Sequence, residues 1–197
     1  MEMSAQHWVF GYGSLMWRPG FDYEERREAV LYGAHRRLCI YSHFHRGTPE
    51  RPGLVLGLDR GGSCRGIAYR VAAADYTAVL DYLRGREQVT GVYREVTRRV
   101  RLLGEPDRFV HALCYVPDPS HAQYAGRLDP EEQIRIVAQG IGNSGPNPDY
   151  VASAVSHLAS LGISDPVLAA VDAGVRTVLS AIGSGDGRAP DCIARSA

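Results

Sequence analysis

Two glycines one residue apart, in the run Phe10-Gly11-Tyr12-Gly13-Ser14-Leu15, are the first place where the backbone of this chain can do chemistry. Without Cβ atoms such a run turns sharply and exposes successive N–H groups, a concave set of donors suited to a phosphate or a carboxylate. A tight turn beside a packed tyrosine would use the same residues, and Tyr12 serves equally as a pocket wall or a core aromatic. The run has neither the spacing and lysine of a P-loop nor the full dinucleotide fingerprint. Ser14 is not in a G-x-S-x-G elbow either. A small carboxylate therefore matches the run better than a nucleotide. Arg46 offers a guanidinium that grips a carboxylate in bidentate fashion or forms a structural salt bridge. His43 and His45 invite a metal reading, but no partners at metal-site spacing accompany them, and alternating strand positions account for the pair. Arg98, Arg99 and Arg101 read as a solvated strand face. Cys39, Cys64, Cys114 and Cys192 are scattered, without zinc or disulfide spacing. Three of them lie in apolar strand-like segments, where buried free thiols are expected.

The elements that must position these residues read as mostly β over the first two-thirds of the chain. Trp8 to Gly11 is a short apolar strand, and Ala29 to Tyr41 carries two strand-like stretches around Gly33. Leu54, Leu56 and Leu58 alternate with the period of a strand. Gly61-Gly62 predicts a turn, with Cys64 to Val71 as the hairpin partner. Val92, Val96, Val100 and Leu102 share a face of a later strand, and Phe109 to Val116 is apolar on both faces. Tyr76, Val79, Leu80 and Leu83 have helical spacing, with Gly85 as the expected stop. Glu87 then falls just past that helix, and from its surroundings alone is a solvated acid in a loop.

The last third reads as helical. Asp129-Pro130-Glu131-Glu132 is a cap, a first-turn proline and two acids, followed by the stripe Ile134, Val137, Ala138, Ile141. Asn147-Pro148-Asp149 repeats the start pattern ahead of Val151, Val155, Leu158 and Leu161. Asp165-Pro166 opens a third helix bearing Leu168, Val171, Val175, Val178 and Ile182. The expected fold class is α+β: a strongly curved or barrel-like mixed sheet with helices packed outside it. The expected organisation is one domain over residues 1–182 and a loose tail over 183–197.

Basic and acidic residues balance at 22 each, so net charge gives no reason to expect nucleic acid or an acidic membrane as partner. No apolar run is expected to span a bilayer, and Met1 to His7 lacks the pattern of a secretory signal. A cytosolic location is the expectation; oligomeric state is not readable.

The run Trp8-Val9-Phe10-Gly11-Tyr12-Gly13-Ser14-Leu15-Met16-Trp17 resembles the opening of the ChaC-type γ-glutamyl cyclotransferases. Further stretches match the same family in order. They are Arg46-Gly47-Thr48-Pro49 with Pro52 to Leu56, then Gly61 to Arg70, then Arg86-Glu87-Gln88 with Gly91 and Tyr93. Ser144-Gly145, Asn147 and Tyr150 follow more weakly. The similarity covers roughly four-fifths of a single domain; one glycine follows Glu87 where many relatives have two. It implies a γ-glutamyl cyclotransferase-like fold, a small β-barrel flanked by helices. It also implies a carbon–nitrogen lyase that cyclises the γ-glutamyl group of glutathione to 5-oxoproline and releases Cys-Gly. In that reading Glu87 is the base, and the Gly11–Ser14 loop, with Val9, Phe10 and Leu15 in the same run, binds the γ-glutamyl group. Tyr150 contacts a substrate carboxylate or packs the first turn of its helix, and Arg46 pairs with a glutathione carboxylate. No metal, nucleotide or flavin is implied. Two other readings stay open: a cyclotransferase for other γ-glutamyl peptides or amines, and a non-catalytic anion-binding module.

The reaction asks little of the enzyme. The substrate's own α-amino group attacks its γ-carbonyl, so no protein nucleophile is needed. The tasks are to bend the substrate and to move a proton from the ammonium to the leaving amine, which one carboxylate can do in sequence. The C-terminal end of a helix, and burial, would both raise that carboxyl's pKa; Arg86 would oppose them.

Overall fold

A computed structural model describes residues 6–104 and 108–184. Five strands close into a barrel in the order β1-β3-β2-β4-β5. They are β1 (His7–Gly11), β2 (Glu25–Ser42), β3 (Gly53–Val71), β4 (Tyr93–Leu102) and β5 (Phe109–Pro117). All pairings are antiparallel except the closure, where Trp8 and Val9 of β1 run parallel to Ala112 and Leu113 of β5. The α+β expectation with a barrel-like mixed sheet holds.

Strand alternation explains the layers. Trp8 and Phe10 point into a cluster to which all five strands contribute, with Leu31, Leu58, Ala68, Val100, Ala112 and Cys114. Val9 points the other way, with Leu113 and Tyr115, onto α1 (Tyr76–Glu87) through Val79 and Leu83. On a further face Leu54, Leu56, Ile67 and Tyr69 pack under α2 (Pro130–Gln139), α3 (Asn147–Ser160) and α4 (Pro166–Ser184). Cys39, Cys64 and Cys114 are buried and free, as expected; Cys192 lies outside the described residues.

The turn expected at Gly61-Gly62 is not there. β3 runs through it unbroken and pairs along its whole length with β2, from Ser42↔Gly53 to Glu25↔Arg70. Gly61 (φ 89°) and Gly62 (φ 70°) stand opposite Gly33 (φ 83°) where the register shifts between Tyr32 and Ala34. The three left-handed glycines absorb a bulge and a bend rather than a reversal. The true reversal lies in the 43–52 connection. His43 and His45 sit in it, so they occupy bends and not alternating strand positions.

Helix ends also differ from expectation. Gly85 does not stop α1: an added Cβ there would meet nothing, and the helix continues to Glu87. The left-handed break comes at Gly91 (φ 74°), whose N–H closes a turn onto Gln88 O. Asp129 does cap α2, accepting from Glu132 N–H at 2.8 Å, but the buried apolar face is Ile136 and Val137. Ile141 is 64 % exposed, because the chain leaves the helix at Gly140 into the two-residue strands β6 (Ile141–Gly142) and β7 (Gly145–Pro146). Asn147, expected as a cap, lies inside α3 and is fully buried; its amide reaches back to β3 instead. In α4, Asp165 accepts from Leu168 N–H, and Leu168, Val171 and Val175 are core, whereas Val178 and Ile182 are exposed. Contrary to expectation, one span, Pro166–Gly183, is long and apolar enough to cross a membrane; its buried stripe packs within the α2–α3–α4 layer. Residues 183 and 184 continue the helix, and the remainder of the expected tail lies outside the described residues.

Candidate active site

A cavity of about 510 Å³ opens where the segment after β1, the ends of β2 and α1, the starts of β3 and β4, and α3 converge. Of the residues singled out from sequence, Phe10, Tyr12, Gly13, Ser14, Leu15, Arg46, Glu87 and Tyr150 line it. Val9 and Gly11 do not. Strand alternation turns Val9 to the α1 side, and the bare face of Gly11 is closed by Leu15, whose Cβ would be 3.0 Å from an added Cβ.

Glu87 reaches the cavity because α1 runs two residues further than Gly85 suggests, so the acid is the helix's last residue. Its side chain is only 17 % exposed. Burial raises its carboxyl above the ordinary carboxylate range, and Arg86, with Nε 3.3 Å from Oε1, pulls in the opposite direction. Burial prevails over the arginine.

The glycine loop presents its other wall. Tyr12 is buried and its hydroxyl donates to Tyr115 O at 2.9 Å. A Cβ on Gly13 would meet nothing nearer than 3.9 Å. Packing therefore does not require a glycine. What an added methyl would face is the cavity, between Leu56 and the Tyr150 hydroxyl. A short 3₁₀ turn, Ser14–Met16, follows and ties Met16 N–H to Gly13 O. Arg36, a β2 residue with a 5 % exposed side chain, bonds Tyr12 O and Arg65 O and so pins the loop from behind. Nothing in the alternation of β2 marked Arg36 for this.

Tyrosine hydroxyls surround the acid. Tyr93 O–H donates to Leu56 O at 2.8 Å, and Tyr150 Oη accepts from Leu56 N–H at 3.2 Å, so one β3 residue fixes two tyrosines. Because Tyr150 is an acceptor in that bond, its own proton remains to be donated elsewhere. Burial pushes the Tyr12 and Tyr93 hydroxyls well above the usual phenol value and Tyr150 up to about 12, and the nearby Glu87 charge adds to each shift. All three stay protonated donors at neutral pH. Tyr93 was visible in sequence only as part of a matching stretch, without a role.

The rim is basic. Arg46 has no ion pair among the described residues; Nη1 donates to Pro146 O, and the guanidinium stands 5.5 Å from the Tyr150 ring centroid. A cation–π and carbonyl contact thus replaces the structural salt bridge. Arg18 is exposed beside it. Asn143 and Ser144 donate backbone N–H groups to Phe44 O and His45 O, which holds the Arg46 segment against the β6–β7 hairpin. His45 Nδ1 lies 2.9 Å from Ser144 Oγ, and burial with the charges of Arg46 and Arg86 lowers its pKa. Among the described residues no cluster of three metal-ligating side chains occurs.

A semi-enclosed acid, a loop wall with a vacant glycine face, several phenol donors and a basic rim can bind a small carboxylate and move a proton. Residues 7–178 match the family model described as ChaC-like protein. The chain is 34 % identical over 158 residues to a glutathione-specific γ-glutamylcyclotransferase of Escherichia coli (strain K12), covering 80 % of this chain and 68 % of that one. It is 37 % identical over 179 residues to glutathione-specific γ-glutamylcyclotransferase 1 of Homo sapiens, covering 87 % and 79 %. The crystal structure of a yeast γ-glutamyl cyclotransferase specific to glutathione superposes with a TM-score of 0.79 at 24 % identity, over 88 % of this chain and 97 % of that one.

Proposed function

The chain belongs to the ChaC-like family, and from that premise we propose that it is a glutathione-specific γ-glutamylcyclotransferase, releasing 5-oxoproline and Cys-Gly. The observation that carries the proposal is the placement of Glu87: a carboxyl 17 % exposed, raised in pKa by burial, on the cavity that Gly13 and Ser14 also line.

The reaction needs a γ-glutamyl arm bent so that its α-nitrogen lies against its own γ-carbonyl. In our reading the Gly11–Ser14 segment receives that arm, with room left by the missing Cβ of Gly13. Glu87 takes a proton from the α-ammonium. The freed amine attacks the γ-carbon, a C–N bond forms and the carbonyl oxygen gains negative charge. Tyr150, whose hydroxyl proton is unspent in its bond from Leu56, is the phenol available to that oxygen. Glu87 then returns its proton to the cysteinyl nitrogen as the old amide bond breaks, and the regenerated carboxylate takes the second proton from the ring nitrogen and passes it to the departing amine, which leaves as its ammonium. Protons balance without water, metal or nucleotide. The raised pKa suits this exchange, since a carboxyl too acidic would hold a proton from an amine poorly. Arg46, at the rim, is placed to meet the far carboxylate of the tripeptide. Three buried free cysteines support a reducing compartment, and the reading assigns the protein to the cytosol.

The test is incubation of the purified protein with glutathione and mass detection of both products, beside γ-glutamyl-alanine as a rival substrate. Equimolar 5-oxoproline and Cys-Gly from glutathione are expected. Glu87→Gln should lower turnover about 10²–10⁴-fold while glutathione binding persists. Parent-rate turnover in that variant would remove Glu87 from the chemistry.

A further inference from the structure

We propose that Arg86 is the positioning residue of the site: its single guanidinium fastens the base-bearing end of α1 to the loop that follows β1, and so sets where Glu87 stands relative to the bound γ-glutamyl arm. The inference rests on the function proposed above but concerns a residue that the chemistry itself does not use.

Arg86 is engaged on every side. Nη2 donates to Ser14 Oγ at 2.9 Å, Nη1 to Arg18 O at 2.6 Å, to Pro19 O at 3.3 Å and to Tyr82 Oη at 3.0 Å, and Nε lies 3.3 Å from Glu87 Oε1. These partners come from two segments about 70 positions apart in sequence, and one planar fork joins them. Its neighbour two positions back, Arg84, makes an ordinary exposed pair with Glu95 instead. The contact also orients the acid: with Oε1 held by Nε, Oε2 is left for the substrate ammonium. A lysine keeps the charge but offers one point, which cannot reach Ser14 Oγ, Arg18 O and Glu87 at once.

The groups facing Glu87 from the other elements are phenols: Tyr12 after β1, Tyr93 on β4, Tyr115 on β5 and Tyr150 on α3. Their pKa values are raised, so they remain neutral where Glu87 titrates. Arg18, Arg46, His43, His45 and Asp149 line the cavity further out. Arg86 is thus the cation in contact with the acid, and its removal leaves burial unopposed.

The experiment compares the parent with Arg86→Met and Arg86→Lys by two measurements: the pH profile of kcat and kcat/KM with glutathione, and direct titration of Glu87 by carbon NMR of carboxyl-labelled protein. Arg86→Met should lose about 10²-fold in kcat with KM changed less than threefold, and the acid limb and the Glu87 titration should both move to higher pH. Arg86→Lys should return the titration towards the parent value yet stay at least tenfold low in kcat, because charge is restored and the bridge is not. An unmoved Glu87 titration in Arg86→Met, or full kcat in Arg86→Lys, overturns the proposal. If the methionine variant does not fold, the lysine variant alone decides: parent kcat refutes the bridge, reduced kcat with a parent-like titration supports it. The NMR arm needs no turnover, so an inactive parent would refute the proposed function while leaving the Arg86–Glu87 link open to measurement.

Discussion

At the scale of single residues, the site stores an unfavourable ionisation. Glu87's carboxyl has a higher pKa folded than unfolded, chiefly through burial. Between those two values the native state holds a proton that the unfolded chain has lost, so stability falls as pH rises through that window and the cost is fully present above it. Glu87→Gln removes the cost. The variant should therefore be more stable than the parent at neutral pH, by about 0.5–2 kcal/mol, and the gain should vanish below the ordinary carboxylate range; denaturant melts at several pH values test this. The same shift predicts that kcat/KM falls off on the acid side at a pH above about 4.3, the value of an unperturbed glutamate. The resemblance pointed to Glu87, and elementary electrostatics gave the competing signs. Arg36 and the full reach of Arg86 were not legible, because an arginine's sequence neighbourhood does not say which distant carbonyls its fork will meet.

At the scale of elements, two matching stretches far apart in sequence prove to be one assembly. Asn147 Oδ1 accepts from Leu54 N–H at 2.7 Å and its Nδ2 donates to Leu54 O at 2.8 Å, so a side-chain amide completes the strand where another strand would otherwise sit. The approach is close: a Cβ on Gly53 would lie 2.2 Å from Arg46 O, and one on Gly140 2.6 Å from the same oxygen. Asn147→Ala strands both Leu54 groups in a buried place and should cost about 2–4 kcal/mol. Asn147→Asp should be no better, since it sets a carboxylate oxygen against Leu54 O. Urea melts of both variants check this, and loss of less than 0.5 kcal/mol would mean that water takes the place of the amide. Asn147 next to proline has the composition of a cap, and sequence alone gave no hint of a strand across from it. The Gly61-Gly62 pair misleads for the matching reason: left-handed glycines serve a bulge as well as a turn, and the opposed Gly33 that decides between them lies 28 positions earlier.

At the scale of the whole molecule, the site is a meeting point of the barrel's parts. Its walls come from the β1 exit, the β2–β3 reversal, the end of α1 and the start of α3, and the barrel seam next to it, β1 against β5, has just two paired positions. A ligand that touches all these parts should stabilise the fold as one unit. For the Glu87→Gln variant, whose turnover is expected to be slow, with glutathione at about 100 times its Kd, binding should add about 2.7 kcal/mol, or roughly 5–10 °C in Tm for a chain of this size. A thermal scan against glutathione concentration gives the answer, and no shift at high glutathione would show that the native state does not bind it. The helices and most strand segments were readable from alternation and helical spacing, because those depend on local periodicity, whereas the continuity of β3 through Gly61-Gly62 was not. The convergence of four segments on one hollow depends on closure, which no local pattern encodes.

Phe44 and Val89, 45 % and 51 % exposed at the cavity's edge, stand apart from the enclosed acid and phenols below them. In the proposed mechanism the ring-closing arm of the substrate occupies the deep chamber, and the departing amine faces the lip. Selectivity for the departing half is thereby separable from the cyclisation itself, and a descendant of this enzyme could change its diet by exchanging lip residues without relearning the chemistry.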